Sequence, residues 1–416
     1  MKLKAFAISL SFVVVALLSM CSFSSAQQET ILLDLTLNFG VGGDPQANLL
    51  RDAKGNLYGT TSFGGLKGGG TVFELQRGPN GTWTRKVLYP FKVGIYDGQR
   101  PQGGVIFDAA GNLYGTTFWG GLYNQGEVFE LIPQATGYWK EKVLHSFGGT
   151  TQDGQNPNAG VIFDSLGNLY GTAMNGGGHG VGIVYELMPQ SNGTWKEKIL
   201  HTFNIDGTDG YVPLAGVVMD GRGNLYGDTN GGGTLVGGTV FELSPTAQGP
   251  WRETILHNFS FNGADGSYPY GVPVFDRSGN LYGVTNAGGL EGSYGAGIVF
   301  ELSPAGKGSW TEAILHNFND STGDGVAPSA GMIFDHRGNL YGVTQAGGTY
   351  NLGTVFELSP ATGGGWSEAV LYNFGSVSDD GIAPLASLIF DPAGNLYGTT
   401  DEGGTTGYGT VYEITP

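Results

Sequence analysis

The chain consists of short apolar and aromatic stretches separated by Gly, Asn, Asp and Pro. One unit reads GVIFD at 104–108, NLYGTT at 112–117, EVFELI at 127–132 and WKEKVLHSF at 139–147. Short stretches that are rich in β-branched and aromatic residues and bounded by turn-forming residues are typical of β-strands. The pattern therefore predicts four strands per unit, joined by tight turns.

The unit repeats seven times. Gly-Asn-Leu-Tyr-Gly begins at residues 55, 111, 167, 223, 279, 338 and 394, so the copies lie 56 or 59 residues apart. This period is too long for the coils of a β-helix, and no unit shows the 3.6-residue periodicity of a helical solenoid. The repeat predicts an all-β fold, a seven-bladed β-propeller with blades that start near residues 45, 101, 157, 213, 269, 328 and 384.

The two ends of the chain are out of phase with each other, which predicts how the ring closes. Residues 31–39 (ILLDLTLNF) precede the first unit and match a fourth strand, with Phe39 at the position of Phe147. Residues 409–416 (GTVYEITP) match a third strand. We expect these two segments to pair, so that residues 31–39 become the outer strand of the last blade and cover its exposed edge.

The composition favours a folded protein that is exported. The chain has 77 Gly for turns, and 40% of its residues are hydrophobic. Basic residues, an apolar stretch over 5–18 and small residues before position 26 predict a signal peptide over 1–26, which contains the single cysteine, Cys21. We expect residues 27–416 to be secreted, with the periplasm or the cell surface as alternatives. An uncleaved anchor is less favoured because the apolar stretch is short for a bilayer.

The charge is strongly negative and limits the possible partners. The chain has 36 acidic and 19 basic residues, for a formal net charge of −17. Such a surface repels phosphate backbones and anionic lipids, so nucleic acid is not an expected partner. No later stretch is long and apolar enough for a membrane span. We expect the mature protein to be a monomer.

The repeat DxxGNLYGTTxxGG…GTVFELSPxxxGxWxExVLHNF resembles the Gloeo–Verruco (GloVer) tandem repeat of exported bacterial proteins, the choice-of-anchor family. The resemblance covers essentially all of the mature chain, because every element recurs in order. It implies an exported repeat protein, but no established activity and no catalytic residues. The sequence ends at Pro416 without a sorting segment, so surface attachment is not implied. The layout of Gly-Gly and Trp also resembles kelch blades.

Strand order assigns the loops of each blade to two faces. First-to-second and third-to-fourth connections are uniform, whereas second-to-third and fourth-to-first connections vary, and we call the side that carries the latter the variable face. Binding is expected where loops vary on a rigid frame. Candidate ligand-binding residues on these loops are Phe63, Trp119, Tyr123, His179, Tyr294, Tyr350 and Tyr408. Aromatic rings there suit stacking on sugars or gripping a peptide, although each ring could instead pack over its own Gly-rich loop.

Acidic residues recur in Asp-Gly-x-x-Pro turns before the first strands. We expect these aspartates to ring the channel mouth on the variable face and to act mainly as turn formers. No cofactor is expected. The minor alternative is calcium where acidic residues cluster, at Asp206, Asp209, Asp320, Asp324, Asp379 and Asp380. Four histidines share a position that is filled elsewhere by Tyr89, Tyr372 and Leu37, which indicates packing rather than a metal ring: His145, His201, His257 and His316.

The expected function is binding, of glycans or surface polymers, through the loops of the variable face. No nucleophile–histidine–acid order, phosphate-cradling loop or His/Cys ligand cluster is recognisable in the sequence. The alternative is a lyase or hydrolase that cleaves polysaccharides or small molecules. Its acid and base would come from non-repeated residues of the same face, namely Tyr123, His179, Asp228, Glu291, Asp401 or Glu402.

Overall fold

Seven antiparallel sheets, each built on four strands, form the blades of a β-propeller. The computed structural model describes residues 27–37, 40–94, 96–247, 249–290, 295–306, 308–320 and 323–415. The predicted signal peptide lies outside these residues, and so do Phe39, Glu291 and Tyr294.

The strands of each blade follow the predicted order. The first strands are Leu50–Arg51, Ile106–Phe107, Ile162–Phe163, Val218–Met219, Val274–Phe275, Ile333–Phe334 and Ile389–Phe390. The second strands are Leu57–Thr61, Leu113–Thr117, Leu169–Ala173, Leu225–Thr229, Leu281–Gly288, Leu340–Gly347 and Leu396–Gly403. The third strands are Gly68–Arg77, Glu127–Pro133, Ile183–Pro189, Val236–Ser244, Ile298–Gly306, Thr354–Pro360 and Thr410–Thr415. The outer strands are Trp83–Lys92, Trp139–Ser146, Trp195–Thr202, Arg252–Ser260, Ser309–Asn317, Trp366–Asn373 and Gln28–Asp34.

The segment that connects one blade to the next pairs with the end of the second strand in the blade it enters. In three blades this segment pairs with a lengthened second strand, at Gly266–Pro269, Gly325–Pro328 and Gly381–Pro384. In three others it forms a separate ladder, Gly98–Gln99 with Trp119–Gly120, Gly154–Gln155 with Asn175–Gly176 and Gly210–Tyr211 with Gly231–Gly232. Within the described part of the chain, one 3-10 turn occupies Pro79–Gly81. These pairings hold the connecting segments against the frame.

The ring closes as predicted, through an N-terminal strand that completes the last blade. Gln28–Asp34 pairs antiparallel with the last third strand, and Ile31 faces Tyr412. The equivalent pair in the second blade is Val143 with Phe129. The edge of the last third strand is therefore covered from within the chain.

The expected register of this closing strand was wrong by four residues. Leu35, and not Phe39, is the residue equivalent to Phe147 of the second blade. Likewise Leu33, and not Leu37, is equivalent to His145. Leu35 is fully buried, so a leucine fills the pocket that holds a phenylalanine in the other blades. The segment QETIL at the start of the strand matches RETIL in the fourth blade, a signal that the alignment on phenylalanine overlooked.

The apolar core is divided among the interfaces between blades. Between the first and second blades, Tyr58 and Phe91 pack against Leu113 and Phe129. Tyr114 follows Leu113 in the strand and contributes to the next interface, because successive side chains point to opposite faces of a sheet. Seven such clusters hold the described ring together, and each is shared by two neighbouring blades.

The repeated Asp-x-x-Gly-Asn segment forms the hairpin between the first and second strands. Asp108 accepts hydrogen bonds on Oδ1 from the amides of Ala110 and Asn112, at 2.9 and 2.8 Å. The hydroxyl of Tyr114 donates to Glu130 Oε1 at 3.0 Å, which links the hairpin to the third strand. The repeated glutamate therefore satisfies a buried tyrosine of its own blade.

Candidate functional site

The central channel is lined by the residue that follows the proline of each connecting segment. This residue differs from blade to blade, and all seven border one cavity of about 550 Å³: Gln46, Gln102, Asn158, Leu214, Tyr270, Ser329 and Leu385. Small residues such as Ala159 and Gly160 form the wall beneath them. The repeat thus places seven different side chains around one axis.

A left-handed residue precedes each of these prolines. The seven residues have φ between 54° and 59°: Asp44, Arg100, Asn156, Val212, Tyr268, Ala327 and Ala383. Positive φ is costly for residues other than glycine, most of all for a β-branched valine. Backbone hydrogen bonds hold the conformation, such as those from the amides of Arg100 to Gly69 O and of Val212 to Val181 O, both 2.9 Å. The backbone is therefore kinked two residues before every channel-lining side chain.

Amide side chains occupy one arc of the channel mouth. Gln102 Nε2 donates to Gln46 Oε1 at 2.9 Å, and Gln46 Nε2 donates to Asp401 Oδ1 at 3.3 Å. Asn158 Nδ2 donates to the carbonyl of Leu214 at 2.9 Å. Among the described residues, Gln102 Oε1 is buried without a hydrogen-bond donor. This relay orients the amides and leaves one acceptor for a ligand.

The opposite arc is mainly apolar. Leu214, Tyr270 and Leu385 line the channel from the fourth, fifth and seventh blades. Phe118 and Met174, which follow the second strands of the second and third blades, add apolar surface on the side of the amides. The mouth therefore combines hydrogen-bonding groups with apolar and aromatic surface, which is the usual make-up of a small-ligand site.

Asp401 brings a carboxylate to this mouth. It holds the position equivalent to those of Phe118 and Met174, and burial raises its pKa to about 6 although the hydrogen bond from Gln46 opposes the shift. A group with a pKa near 6 changes charge close to neutral pH and can accept or donate a proton there.

Asp228 is an acid buried below the mouth. It stands where Thr116 and Thr172 donate their hydroxyls to backbone carbonyls of the next blade, both at 2.8 Å. Its Oδ1 has no hydrogen-bond partner among the described residues, and burial raises its pKa well above the ordinary value. Burial, together with the charges of Asp228 and Asp401, also raises the pKa of Tyr270.

A second constellation lies between the outer strands of adjacent blades. His145 Nε2 of the second blade lies 3.2 Å from Asp153 Oδ1 of the connecting segment and 3.6 Å from Glu197 Oε1 of the third blade. Three equivalent clusters follow around the ring: His201, Asp209 and Glu253; His257, Asp265 and Glu312; His316, Asp324 and Glu368. The aspartates of the Asp-Gly-x-x-Pro turns therefore bridge outer strands, and the expectation that they ring the channel mouth was wrong.

Two interfaces carry tyrosine where these four carry histidine. Tyr89 donates its hydroxyl to Glu141 Oε2 at 2.9 Å and to Asp97 Oδ1 at 3.3 Å. The hydroxyl of Tyr372 lies 3.0 Å from Glu29 Oε2 and 2.9 Å from Asp380 Oδ2. At the interface that closes the ring, Leu33 and Val41 hold the histidine and aspartate positions. Six interfaces thus share a donor between two carboxylates, whereas the seventh has Leu33, Val41 and Arg85 at the three positions.

The glutamates of these clusters have strongly raised pKa values. Burial raises the pKa of Glu197 and of Glu253 to about 7, against the opposing charge of the neighbouring histidine. Burial acts to lower the pKa of His145, but the hydrogen bond to Asp153 and the charge of Glu197 outweigh it, so the pKa is raised. The raised pKa values of His145 and Glu197 therefore reflect an imidazole that is buried between two acids.

Sequence comparison matches the Gloeobacter/Verrucomicrobia repeat over residues 20–241 and again over 217–416. The chain belongs to this repeat family. No curated protein matches the chain. The solved structures that resemble this family member include virginiamycin B lyase from Staphylococcus aureus, with 12% identity, a TM-score of 0.53, and coverage of 94% of this chain and 99% of that one.

Two further structures resemble this Gloeobacter/Verrucomicrobia repeat protein. A protein assigned as a 6-phosphogluconolactonase from Bacteroides uniformis is 14% identical, with a TM-score of 0.52 over 86% of this chain and 98% of that one. The extracellular domain of a protein assigned as a hybrid two-component system from B. thetaiotaomicron is 11% identical, with a TM-score of 0.56. The match covers 92% of this chain and 39% of that one. At these identities the likeness shows the propeller fold alone.

The predicted aromatic residues of the repeat protein are distributed around the variable face. Phe63 lies under the guanidinium of Arg100, 4.3 Å from the ring centroid, and Trp119 packs edge-on against Phe118 at 5.2 Å. Tyr408 packs over Gly43. Tyr123, His179 and Tyr350 occupy equivalent, exposed positions on three blades. None of these six residues borders the central cavity.

The predicted calcium ligands of the repeat protein separate into two groups. Asp209, Asp324 and Asp380 belong to the interblade clusters. Asp206 Oδ1 accepts the amides of Thr208 and Asp209 and so caps its own loop. Among the residues that the structure describes, Asp206, Asp320 and Asp379 join none of the His/Asp/Glu clusters. Over the same residues, no helix has the length and apolar character to cross a bilayer.

Sequence reasoning missed both the amide arc and the interblade clusters. The residue after each connecting proline varies in type, so no motif marks it, although its fixed place in the period could have. The histidine and aspartate of one cluster are eight residues apart, but the glutamate comes from the next blade. Reading the same positions across successive units would have pointed to both.

Proposed function

We propose that the protein is an exported binding module that holds a neutral glycan, or a related surface polymer, at the variable-face mouth of the central channel. The observation that carries the proposal is the arc formed by Gln46, Gln102 and Asn158 opposite Leu214, Tyr270 and Leu385. A sugar ring presents hydroxyls at its edge and C–H groups on its faces. Amides suit the former and an aromatic or aliphatic wall suits the latter.

The charge of the protein narrows the ligand class. With a net charge of −17 and Asp401 beside the amide relay, the mouth disfavours uronates, sulfated chains and phosphates. Gln102 Oε1, buried without a donor among the described residues, would accept a ligand hydroxyl. A neutral polyol therefore fits this surface better than a polyanion.

A cleaving enzyme that uses the same mouth is the second candidate. Asp401 favours it, because its pKa of about 6 suits a general acid or base at neutral pH. Tyr270 lies near Asp401, and the charge of this carboxylate contributes to the raised pKa of the tyrosine. Asp228 is buried, so its contribution would be to the environment of Tyr270 rather than to contact with substrate.

Screening the protein against an array of neutral and acidic glycans, followed by a turnover assay on each glycan that binds, tests both candidates. Binding without product supports the module, and product formation supports the enzyme. Tyr270→Ala should weaken binding by about tenfold or more, as expected for an aromatic anchor. Tyr138→Ala, at an exposed tyrosine in a third-to-fourth turn, should leave binding unchanged.

Two results would contradict a site at the channel. Binding that survives both Tyr270→Ala and Gln102→Ala would place the ligand elsewhere. Binding that is lost instead on replacing Trp119 or Tyr123 would favour the outer loops predicted from the sequence. Far-UV circular dichroism of each variant separates loss of binding from loss of fold.

A further inference from the structure

We propose that the four His/Asp/Glu clusters between blades each bind a divalent transition metal ion such as Zn²⁺. The histidine supplies Nε2, and the aspartate and glutamate supply one carboxylate oxygen each. In every cluster these three atoms lie within 4.8 Å of one another. The inference is independent of the channel, because the clusters lie between outer strands.

In each cluster one glutamate oxygen is buried without a hydrogen-bond donor among the described residues. Among the described residues, Glu197 Oε1, Glu253 Oε1, Glu312 Oε1 and Glu368 Oε1 are all buried without a hydrogen-bond partner. In the third cluster, His257 Nε2 is also buried and unpartnered, 3.5 Å from Asp265 Oδ2 and 3.6 Å from Glu312 Oε1. Such atoms are costly to bury unless something else pairs with them, and here they recur in the same arrangement four times.

The second cluster shows which aspartate oxygen faces the histidine. Asp209 has a side chain that is only 5% exposed. Its Oδ2 receives the amide and side chain of Asn204 and faces His201 Nε2 at 3.2 Å. Its Oδ1 is buried and has no hydrogen-bond partner within the described part of the chain. Oδ2 is thus the oxygen that faces the histidine, and in the fourth cluster the oxygen equivalent to Oδ1, Asp324 Oδ1, accepts the amide of Gly325 at 2.6 Å.

Backbone contacts orient the aspartates before any ion binds. The amide of Gly149 donates to Asp153 Oδ2 at 2.9 Å, and the amide of Asn319 donates to Asp324 Oδ2 at 3.2 Å. The histidine and glutamate stand on the outer strands of two adjacent blades. Outer contacts of this kind fix the geometry of metal ligands, and here they belong to the rigid frame.

The ligand set determines the class of ion. One imidazole nitrogen with two carboxylates suits zinc and other first-row divalent metals. Calcium instead takes six to eight oxygen ligands, and these clusters offer a nitrogen in place of an oxygen. Water can complete the coordination sphere, since the cluster of His145 opens on a depression of about 520 Å³ beside Tyr123 and Gly149.

The chain supplies its own matched control for the nitrogen ligand. Tyr89 and Tyr372 stand at the histidine position in two interfaces and keep both carboxylates. A phenol donates a hydrogen bond there but is a poor ligand for zinc in its neutral form. His→Tyr at the four clusters therefore introduces a residue that this fold already accommodates, while removing the proposed nitrogen ligand.

Zinc titration of the untagged protein by calorimetry, after treatment with chelator, tests the inference. We expect about four equivalents to bind, one for each cluster. Each of His145→Tyr, His201→Tyr, His257→Tyr and His316→Tyr should remove about one equivalent, and the quadruple variant should bind none. Zinc should raise the melting temperature of the natural protein but not that of the quadruple variant.

The two remaining histidines of the chain provide the controls. His179→Tyr and His336→Tyr, both at exposed positions outside the clusters, should leave the stoichiometry unchanged. The inference is overturned if zinc does not bind, or if the quadruple variant binds as much zinc as the natural protein. In either case the clusters are hydrogen-bonded links between blades. The melting temperature in chelator shows whether the quadruple variant is folded.

Discussion

A glycine in the middle of each second strand makes room for a ring from the third strand. A Cβ on Gly115 would lie 2.6 Å from Phe129 Cζ, and one on Gly59 would lie 2.6 Å from Phe73 Cζ. Glycine in a strand interior otherwise weakens the strand, so its recurrence at this position is explained by the close approach of the ring. The repeated Leu-Tyr-Gly thus encodes packing within a blade.

Gly115→Ala should lower the free energy of unfolding by about 2 kcal/mol, since the added methyl group overlaps a ring that is fully buried. Gly221→Ala is the matched control, because a Cβ there meets no atom within 4 Å. Urea unfolding of the two variants measures the difference. If the two variants were equally stable, the aromatic ring of Phe129 would have to move aside without cost.

Glu127 is an acid inside the frame. It is fully buried at a position where other blades carry Thr239 or Thr354, and both of its carboxylate oxygens lack partners among the described residues. Burial, followed by the charge of Glu141, raises its pKa to about 10. The folded protein therefore holds a proton on Glu127 that the unfolded chain releases above the ordinary pKa of 4.5.

Because of that retained proton, Glu127 should destabilise the fold progressively as the pH rises from about 5 toward 10. Glu127→Gln should raise the free energy of unfolding at pH 8 by about 2 kcal/mol or more and change it little at pH 4. Denaturant unfolding at the two pH values measures this difference. If Glu127→Gln raised the free energy of unfolding equally at pH 8 and pH 4, titration of Glu127 would be ruled out as the cause.

At the scale of the element, the closing strand Gln28–Asp34 and the residue that follows it stabilise the last blade. Leu35 is fully buried in the apolar cluster between the last and first blades, with Val41 and Leu57. Its amide donates to Gly409 O at 3.0 Å, as the amide of Phe147 donates to Gly126 O. The strand therefore contributes both ladder pairing and core packing.

Leu35→Ala should cost about 2–4 kcal/mol of stability, the range for removing a buried leucine side chain. Gln28→Ala, at an exposed position of the same strand, should cost little. Deletion of residues 27–37 should expose the edge of the last third strand and promote association. Chemical unfolding and analytical ultracentrifugation test these outcomes, and a deletion variant that stays monomeric and fully stable would contradict the closure.

At the scale of the whole molecule, the apolar clusters of the described residues all lie between blades. Each apolar cluster combines side chains of two adjacent blades, including the one that joins the last blade to the first. Open repeat arrays have free ends from which unfolding can begin, but a ring closed by its N-terminal strand has none. Loss of one interface therefore affects both blades that share it.

The ring should consequently unfold in a single cooperative transition. Phe241→Ala, in the core between the third and fourth blades, should shift the urea midpoint of far-UV circular dichroism and of tryptophan fluorescence together. Outer strands of five blades each contain a tryptophan, so fluorescence reports on much of the ring: Trp83, Trp139, Trp195, Trp310 and Trp366. Separate midpoints for the two signals would instead indicate blades that unfold independently.

The sequence alone determined the strands, the hairpin turns and the number of blades. These features depend on neighbours in the chain: strand alternation has a period of two, and the turn around Asp108 closes within four residues. Because the unit recurs seven times, each local prediction applied to all seven blades. Closure by an N-terminal strand also followed, since the two chain ends are out of phase.

Only the tertiary structure decided the register of the closing strand and the membership of the sites. Leu35 and Phe39 are both apolar, so the local pattern permits either register, and packing against the last blade selects one. His145, Asp153 and Glu197 meet because two blades stand side by side, and the channel-lining residues meet because the ring closes. Local propensities do not encode such contacts, because they arise from the separation and orientation of whole blades.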